Sequence, residues 1–396
     1  MNYDFDTLID RSNTYSYKWN NYPYEHNKSE DMIPMWVADM DFPCAKEIVN
    51  AVIKRAMHPI YGYSNAGDGF GGPAARWMKK RHNWTILPSD VLFCPGVVPA
   101  LSACISAFTK PGDSIVIQQP VYYPFSDIIN LSERSLLNNE LVYNPKKQLW
   151  EVDYQDFEEK ISHASMFLLC NPHNPVGRVY TREELKRMAD ICIQHHVMIV
   201  SDEIHSDLVF RPNVHIPIAS LSQEIASHTI TCISPSKGFN IAGLQTACII
   251  ATNSHYYHRL ETELNKSMHV MNLFGTVAYM TAYDQCEDYI DEVTQYIWNN
   301  YMYLDRFLKE HMPRIKCQCP QATYLMWLDC SDLGICDDEI FDFFVNDAHI
   351  AIDNGSWFGN SGKYYARLNI ATPLCNLKKA LFQLKSAYEQ RGYSKK

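Results

Sequence analysis

Between about residue 91 and residue 250, short apolar runs alternate with stretches of helical character. Ser114-Ile115-Val116-Ile117, Met166-Phe167-Leu168-Leu169-Cys170, Val197-Met198-Ile199-Val200 and Ala247-Cys248-Ile249-Ile250 are almost uninterrupted by polar residues. Such runs predict strands covered on both faces. Thr181-Arg182-Glu183-Glu184, between two of them, carries a capping-box pattern and predicts a helix start. The alternation predicts an α/β fold, a mostly parallel sheet sandwiched by helices. Downstream, residues 286–311 predict a long helix. A strand at 323–328, a helix near 337–346 and a strand at 366–370 follow, forming a smaller α+β unit. Upstream, residues 1–45 are rich in Tyr, Asn and Pro and predict an irregular arm ending in Met35-Trp36-Val37-Ala38-Asp39. Helices are predicted at 45–57 and from Pro73, a residue tolerated in a first helical turn. The expected division is a large domain over 46–285 and a small domain formed by 1–45 with 286–396.

The chain has 396 residues, 46% hydrophobic and 20% charged, which is ordinary for a globular protein and long enough for two cores. Net charge is −10 and no basic tract is present, so neither nucleic acid nor an anionic membrane surface is an expected partner. Met1-Asn2-Tyr3-Asp4-Phe5-Asp6 lacks the apolar core of a signal peptide, and no run is apolar enough to span a bilayer. The 13 cysteines show no repeated spacing, and Cys317-Gln318-Cys319 is too tight for a usual zinc knuckle. Reduced thiols in a cytoplasmic protein, without a metal, are the expectation.

Ligands in parallel sheets bind beyond the carboxyl ends of strands. Tyr122, Asn174 and Asp202 each fall there, after three of the predicted strands. Lys237 follows a further apolar run, Thr229-Ile230-Thr231-Cys232-Ile233, within Ser234-Pro235-Ser236-Lys237-Gly238-Phe239-Asn240. Alone, Lys237 reads as a solvated lysine, Asp202 as a helix cap and Asn174 as a turn residue. Together, an amine, an anion and an amide suit pyridoxal 5'-phosphate. The lysine would form the Schiff base, the carboxylate would hold the pyridine nitrogen protonated, and Ser234 and Ser236 would donate to the phosphate. Gly67-Asp68-Gly69-Phe70-Gly71-Gly72 matches G-x-G-x-x-G in form only, because no buried strand precedes it; it predicts a turn into the next helix.

With Pro34–Phe42, Pro95–Leu101, Pro120–Phe125, Cys170–Arg178, Ser201–Asp207, Pro235-Ser236-Lys237 and Tyr365–Ala371 in this order, the chain resembles fold-type I pyridoxal-phosphate enzymes. More narrowly it resembles the MalY/PatB branch of cystathionine β-lyase-like C–S lyases. The resemblance implies Lys237 as the covalent anchor, Asp202 on the pyridine nitrogen, Asn174 on the ring oxygen and Tyr122 stacked on the ring. It implies a phosphate site from the amides of Val97 and Val98 with Ser236 and Ser234. It further implies Arg367 on the substrate carboxylate, Ala38 beside the substrate and Tyr123 as an aid to proton movement. Tyr63, or Tyr61, would reach the phosphate of a neighbouring subunit in a homodimer. Two departures stand out. Gln245 occupies the position, eight residues after the lysine, where many fold-type I aminotransferases carry a phosphate-gripping arginine. Gly238 replaces a threonine common in the branch, which predicts a looser turn beside Lys237. His205 stands where aminotransferases often have a ring-contacting tyrosine, and reads as a supporting histidine behind the site.

The expected activity is elimination of a thiol from a sulfur-containing L-amino acid to pyruvate and ammonia. Transamination is the alternative, since both reactions start from the same carbanion. A regulatory protein built on the same fold is a reading of another class; retention of Lys237, Asp202 and Arg367 argues against it as the sole role.

Overall fold

The computed structural model describes residues 2–20, 31–267 and 270–394; residues 21–30 of the predicted arm, and Met1 of the predicted acidic start, lie outside them. Seven strands form the main sheet: β1 (Val91–Cys94), β2 (Ser114–Ile117), β3 (Ser135–Asn138), β4 (Met166–Cys170), β5 (Met198–Asp202), β6 (Thr229–Ile233) and β7 (Ala247–Ile250). Their order is β1-β7-β6-β5-β4-β2-β3. Five of them, from β6 to β3 in that order, run parallel, and β7 is antiparallel to both of its neighbours. The reversal at β7 follows from its connection. The segment 234–246 holds only two short helical turns, Pro235–Gly238 and the 3-10 turn Ala242–Leu244, and no crossover helix, so the chain returns beside β6 in the opposite sense.

β4 and β6 are buried at every residue, as their composition requires for strands covered on both faces. Alternate side chains feed separate cores. Ile115, Leu168 and Ile230 pack under the helix α1 (Val97–Phe108), whereas Val116, Phe167 and Ile199 pack under the helix α2 (Arg182–Gln194). α2 begins with the predicted capping box. Thr181 Oγ1 accepts the amide of Glu184 at 3.3 Å, and the Glu184 carboxylate accepts the amide of Thr181 at 2.8 Å.

The predicted long helix is α3 (Glu287–His311). A four-stranded antiparallel sheet follows, in the order β8 (Lys316–Cys317), β9 (Leu325–Asp329), β11 (Tyr365–Asn369) and β10 (Asp353–Asn354). The predicted helix near 337–346 is α-helical only over Asp337–Asp342 and widens to a π-turn over Phe343–Asp347. The arm joins this unit: Ile33–Pro34 pairs in parallel with Ile350–Ala351. The helix expected from Pro73 starts two residues earlier and spans Gly71–His82, behind a single 3-10 turn at Gly67–Gly69. Gly71 must be glycine, because a Cβ there would stand 1.9 Å from the carbonyl oxygen of Pro88.

Candidate active site

The carboxyl ends of β4 and β5, the start of α1 and the β6–β7 connection meet around a cavity of about 210 Å³. Its walls include Ala38, Val97, Val98, Tyr122, Asn174, Asp202, Ser234, Ser236 and Lys237. A wider cleft of about 810 Å³, between Lys80–His82 and Arg211–His215, contains none of the predicted site residues.

Lys237 extends from the short turn after β6, and its Nζ donates to the Ala38 carbonyl at 2.7 Å. Burial lowers its pKa to about 8; Asp39 and Asp202 oppose that shift and Arg367 adds to it. Asp202 is the last residue of β5, and its carboxylate accepts the amide of Ile204 at 3.1 Å. Burial raises this carboxyl to about 7 against the attraction of Lys237. A buried acid in this state gains most from a cationic partner, such as a protonated ring nitrogen.

Elsewhere in the cavity wall, helix geometry leaves the amides of Val97 and Val98 without intrahelical acceptors, and Gly96 caps without a side chain. Ser236 lines the cavity with them. This is a donor set suited to an anion. Ser234 is different: its hydroxyl donates to the Thr246 carbonyl at 2.7 Å and accepts the Ser236 amide at 3.1 Å. It caps the turn that carries Lys237, and its proton is already engaged, contrary to the expectation that it donates to a phosphate. Gln245, in the left-handed region at φ 48°, also lines the cavity, so a neutral side chain stands where an arginine was the alternative.

Tyr122 lies between β2 and the helix Pro124–Leu131, and its amide donates to the Asn174 carbonyl at 3.0 Å. Arg367, on β11, is not a wall of the cavity. Its Nη1 donates to Asn174 Oδ1 at 3.0 Å, its Nη2 to the Trp36 carbonyl at 3.1 Å and also to the carboxylate of Asp353. Tyr123 is 36% exposed beside this group and outside the cavity wall. Burial raises its hydroxyl pKa, helped by the charge of Asp353. Tyr63 is 99% exposed and Tyr61 donates to the Ala56 carbonyl at 2.6 Å, so neither is brought to this chain's own cavity.

His205 lines the cavity directly rather than standing behind it. Burial, with the charges of Lys237 and Arg367, lowers its pKa to about 3, so the ring is neutral. Gly238 does not loosen the turn. A Cβ at this position would lie 2.8 Å from Cδ1 of Ile290, so an isoleucine from α3 fills the space a side chain would take.

Residues the sequence did not single out fix the roof. The Ala38 carbonyl also accepts the Tyr324 hydroxyl at 2.9 Å. Asn240 binds both the amide and the carbonyl of Met40, and Asn369 donates to the carbonyls of Val37 and Asp39. Behind them, Arg11 pairs with Asp39 and Asp41 at 2.8 and 2.9 Å, and the buried Lys18 pairs with Asp41 at 3.0 Å. Asn240 stands in the SPSKGFN segment without a role read for it, and Tyr324, just before β9, carries no signal in the sequence.

The chain matches the family described as Aminotransferase class I and II over residues 30–382. It is 38% identical to cystathionine beta-lyase PatB of Bacillus subtilis, across 97% of this chain and 99% of that one. Its fold superposes on cystalysin from Treponema denticola, whose crystal structure contains a pyridoxal 5'-phosphate cofactor. The TM-score is 0.95 at 32% identity, over 99% of this chain and 100% of that one. The pyridoxal-phosphate-bound C–S lyase of Staphylococcus hominis, complexed with the inhibitor L-cycloserine, gives a TM-score of 0.92 at 31% identity, over 98% of each chain. With the lysine, the acid and the helix-start amides gathered at one sheet end, and with likeness along nearly its whole length, this chain belongs to the class I and II aminotransferase family.

Proposed function

We propose that the protein is a pyridoxal 5'-phosphate-dependent carbon–sulfur β-lyase, releasing a thiol, pyruvate and ammonia from a sulfur-containing L-amino acid. One observation carries the cofactor reading: a half-buried lysine of lowered pKa and a buried acid of raised pKa share a cavity with unpaired helix-start amides. The likeness to PatB, cystalysin and the staphylococcal lyase supports elimination as the reaction.

When bound, pyridoxal phosphate supplies a sink for the electrons left on the substrate Cα. In this reading Lys237 would hold the cofactor covalently, and its amine would serve as the base for the substrate Cα proton. A pKa of about 8 leaves a usable unprotonated share near neutral pH. Asp202 would keep the ring nitrogen protonated. Asn174, whose Oδ1 already accepts from Arg367, has its Nδ2 to offer the ring oxygen. Tyr122 would pack against the ring, and the amides of Val97 and Val98 with Ser236 would hold the phosphate. Arg367 takes the substrate carboxylate, Ala38 borders the substrate, and Tyr123 moves protons near the leaving group.

The same reading places the enzyme in the cytoplasm as a homodimer. All 13 cysteines are unpaired, and no helix among the described residues is long and apolar enough to cross a membrane. Val49 and Ile53 form an exposed stripe on the helix Lys46–Ala56, continued past its end by Met57, Ile60, Tyr61 and Tyr63. A second copy covering this stripe would give Tyr63 a neighbouring cavity to reach. The function is tested with a panel of cystathionine, cysteine and S-alkyl cysteines scored for pyruvate and free thiol. Equal release of both from at least one member is expected, with none from Lys237→Ala. A panel without pyruvate, or activity surviving in Lys237→Ala, contradicts the proposal.

A further inference from the structure

Asp353 and Arg367 stand directly opposite each other on β10 and β11, and each side chain is 3% exposed. Directly opposed residues of antiparallel strands share a face, so this ion pair is built into the sheet. A guanidinium offers a carboxylate two forks, Nη1 with Nη2 and Nε with Nη2. Both forks use Nη2. The two protons of Nη2 are already engaged, one by the Trp36 carbonyl and one by Asp353. Nε, by contrast, is buried and has no partner. A second carboxylate therefore cannot seat on either fork until one partner of Nη2 leaves.

The Trp36 carbonyl is the harder one to move. Its neighbours are tied to β11: the Asn369 amide donates to Met35 O at 2.8 Å, and Asn369 Nδ2 donates to Val37 O at 2.7 Å. Asp353 needs only a side-chain rotation. We propose that Asp353 is an internal stand-in for the substrate carboxylate, closing the Arg367 fork in the free protein and yielding it on binding. Asp353 is thus an affinity-setting residue of the carboxylate subsite, which rests on the reading of Arg367 as the substrate clamp. Exchange of one carboxylate for another keeps the buried guanidinium neutralised throughout, so neither state carries an unpaired buried cation. Burial also raises the Asp353 carboxyl to about 6 despite Arg367, in keeping with a group that can be released.

The alternative, that Asp353 merely props Arg367 in place, gives the opposite sign in a binding experiment. The probe is 3-(methylthio)propionate, a sulfur-containing carboxylate without the amine, with its primary amide as control. Its binding to the cofactor-loaded protein is followed by calorimetry. Removal of a competing like charge predicts that Asp353→Asn tightens the carboxylate by at least about tenfold and leaves the amide unchanged. Unchanged or weaker carboxylate binding in Asp353→Asn, with binding lost in Arg367→Gln, overturns the role of Asp353 alone. Unchanged binding in Arg367→Gln overturns the clamp reading and this inference with it. A crystal structure of the unsubstituted protein with the probe gives a test that needs no variant. The probe on Nη2 with Asp353 released is the expected result, and Asp353 still bonded to Arg367 beside a bound probe refutes it.

Discussion

Replacing Gly238 with alanine places a methyl group 2.8 Å from Cδ1 of Ile290 and 3.6 Å from Cβ of Asp207. Carbon atoms in a well-packed core sit about 3.5–4.0 Å apart, so the first contact is far too close. Ile290 is fully buried within α3 and has little room to retreat. Alanine gains up to about 1 kcal/mol over glycine from backbone conformation in a helical turn. Overpacking costs about 1–3 kcal/mol, so the balance favours a net loss of about 1 kcal/mol. Ile290→Val removes the clashing Cδ1. In the parent it costs about 0.5–1.5 kcal/mol as a lost methylene. In the Gly238→Ala background it relieves the overlap, so its cost there is smaller or reversed, with a coupling of about 1 kcal/mol in the cycle. Urea unfolding of the four proteins, followed by two probes to check for a single transition, measures all the terms. A Gly238→Ala protein as stable as the parent refutes the packing argument, as does an equal cost of Ile290→Val in both backgrounds.

Other consequences follow from the same geometry. In the cofactor-free protein, Lys237 has a pKa of about 8 because its protonated form is disfavoured by burial. An unfolded lysine holds its proton to about 10.4, so stability rises with pH between those values. Reaction of Lys237 with an amine reagent in the cofactor-free protein should be half-maximal near pH 8, and a midpoint above 10 contradicts the reading. Burial depresses His173 to about 4 and His205 to about 3. Unfolded histidines take up protons near 6.5, so acid between about pH 6.5 and 4 favours unfolding, by up to about 3 kcal/mol for each ring. Thermal melts across that range should fall, and a flat profile argues against two neutral buried rings. Ile53→Glu, on the exposed stripe, should weaken self-association more than about tenfold, because it buries an unpaired charge in the contact. Sedimentation showing an unchanged dimer would place the interface elsewhere.

The sequence was most legible where burial is symmetrical. Ser114–Ile117, Met166–Cys170 and Ala247–Ile250 read to the residue, because strands covered on both faces leave no polar interruption. Strand direction leaves no such trace, so the antiparallel course of Ala247–Ile250 appears only once the short 234–246 connection is seen in place. Helix 337–346 was harder, since its apolar spacing is continuous while its backbone changes from α to π at Phe343. At the site, Asp202 and Asn174 were visible from their strand-end positions. The commitment of Ser234 to Thr246, the bond of Tyr324 to Ala38 and the pairing of Asp353 with Arg367 depend on partners remote or unmarked in sequence. Side-chain type advertises what a residue can do; which partner already occupies it is a tertiary fact.

The choice of bond remains the central claim. The groups on Lys237, Asp202 and Arg367 serve elimination and transamination alike, and the two differ in whether an amino acceptor is consumed. Pyruvate formation from cystathionine or cysteine, measured on the cofactor-loaded protein with every keto acid removed, separates them directly. The account predicts continuous pyruvate release over many turnovers, matched by free thiol and abolished in Lys237→Ala. Release that stops after a single turnover and resumes only when a keto acid is added would contradict it and identify an aminotransferase.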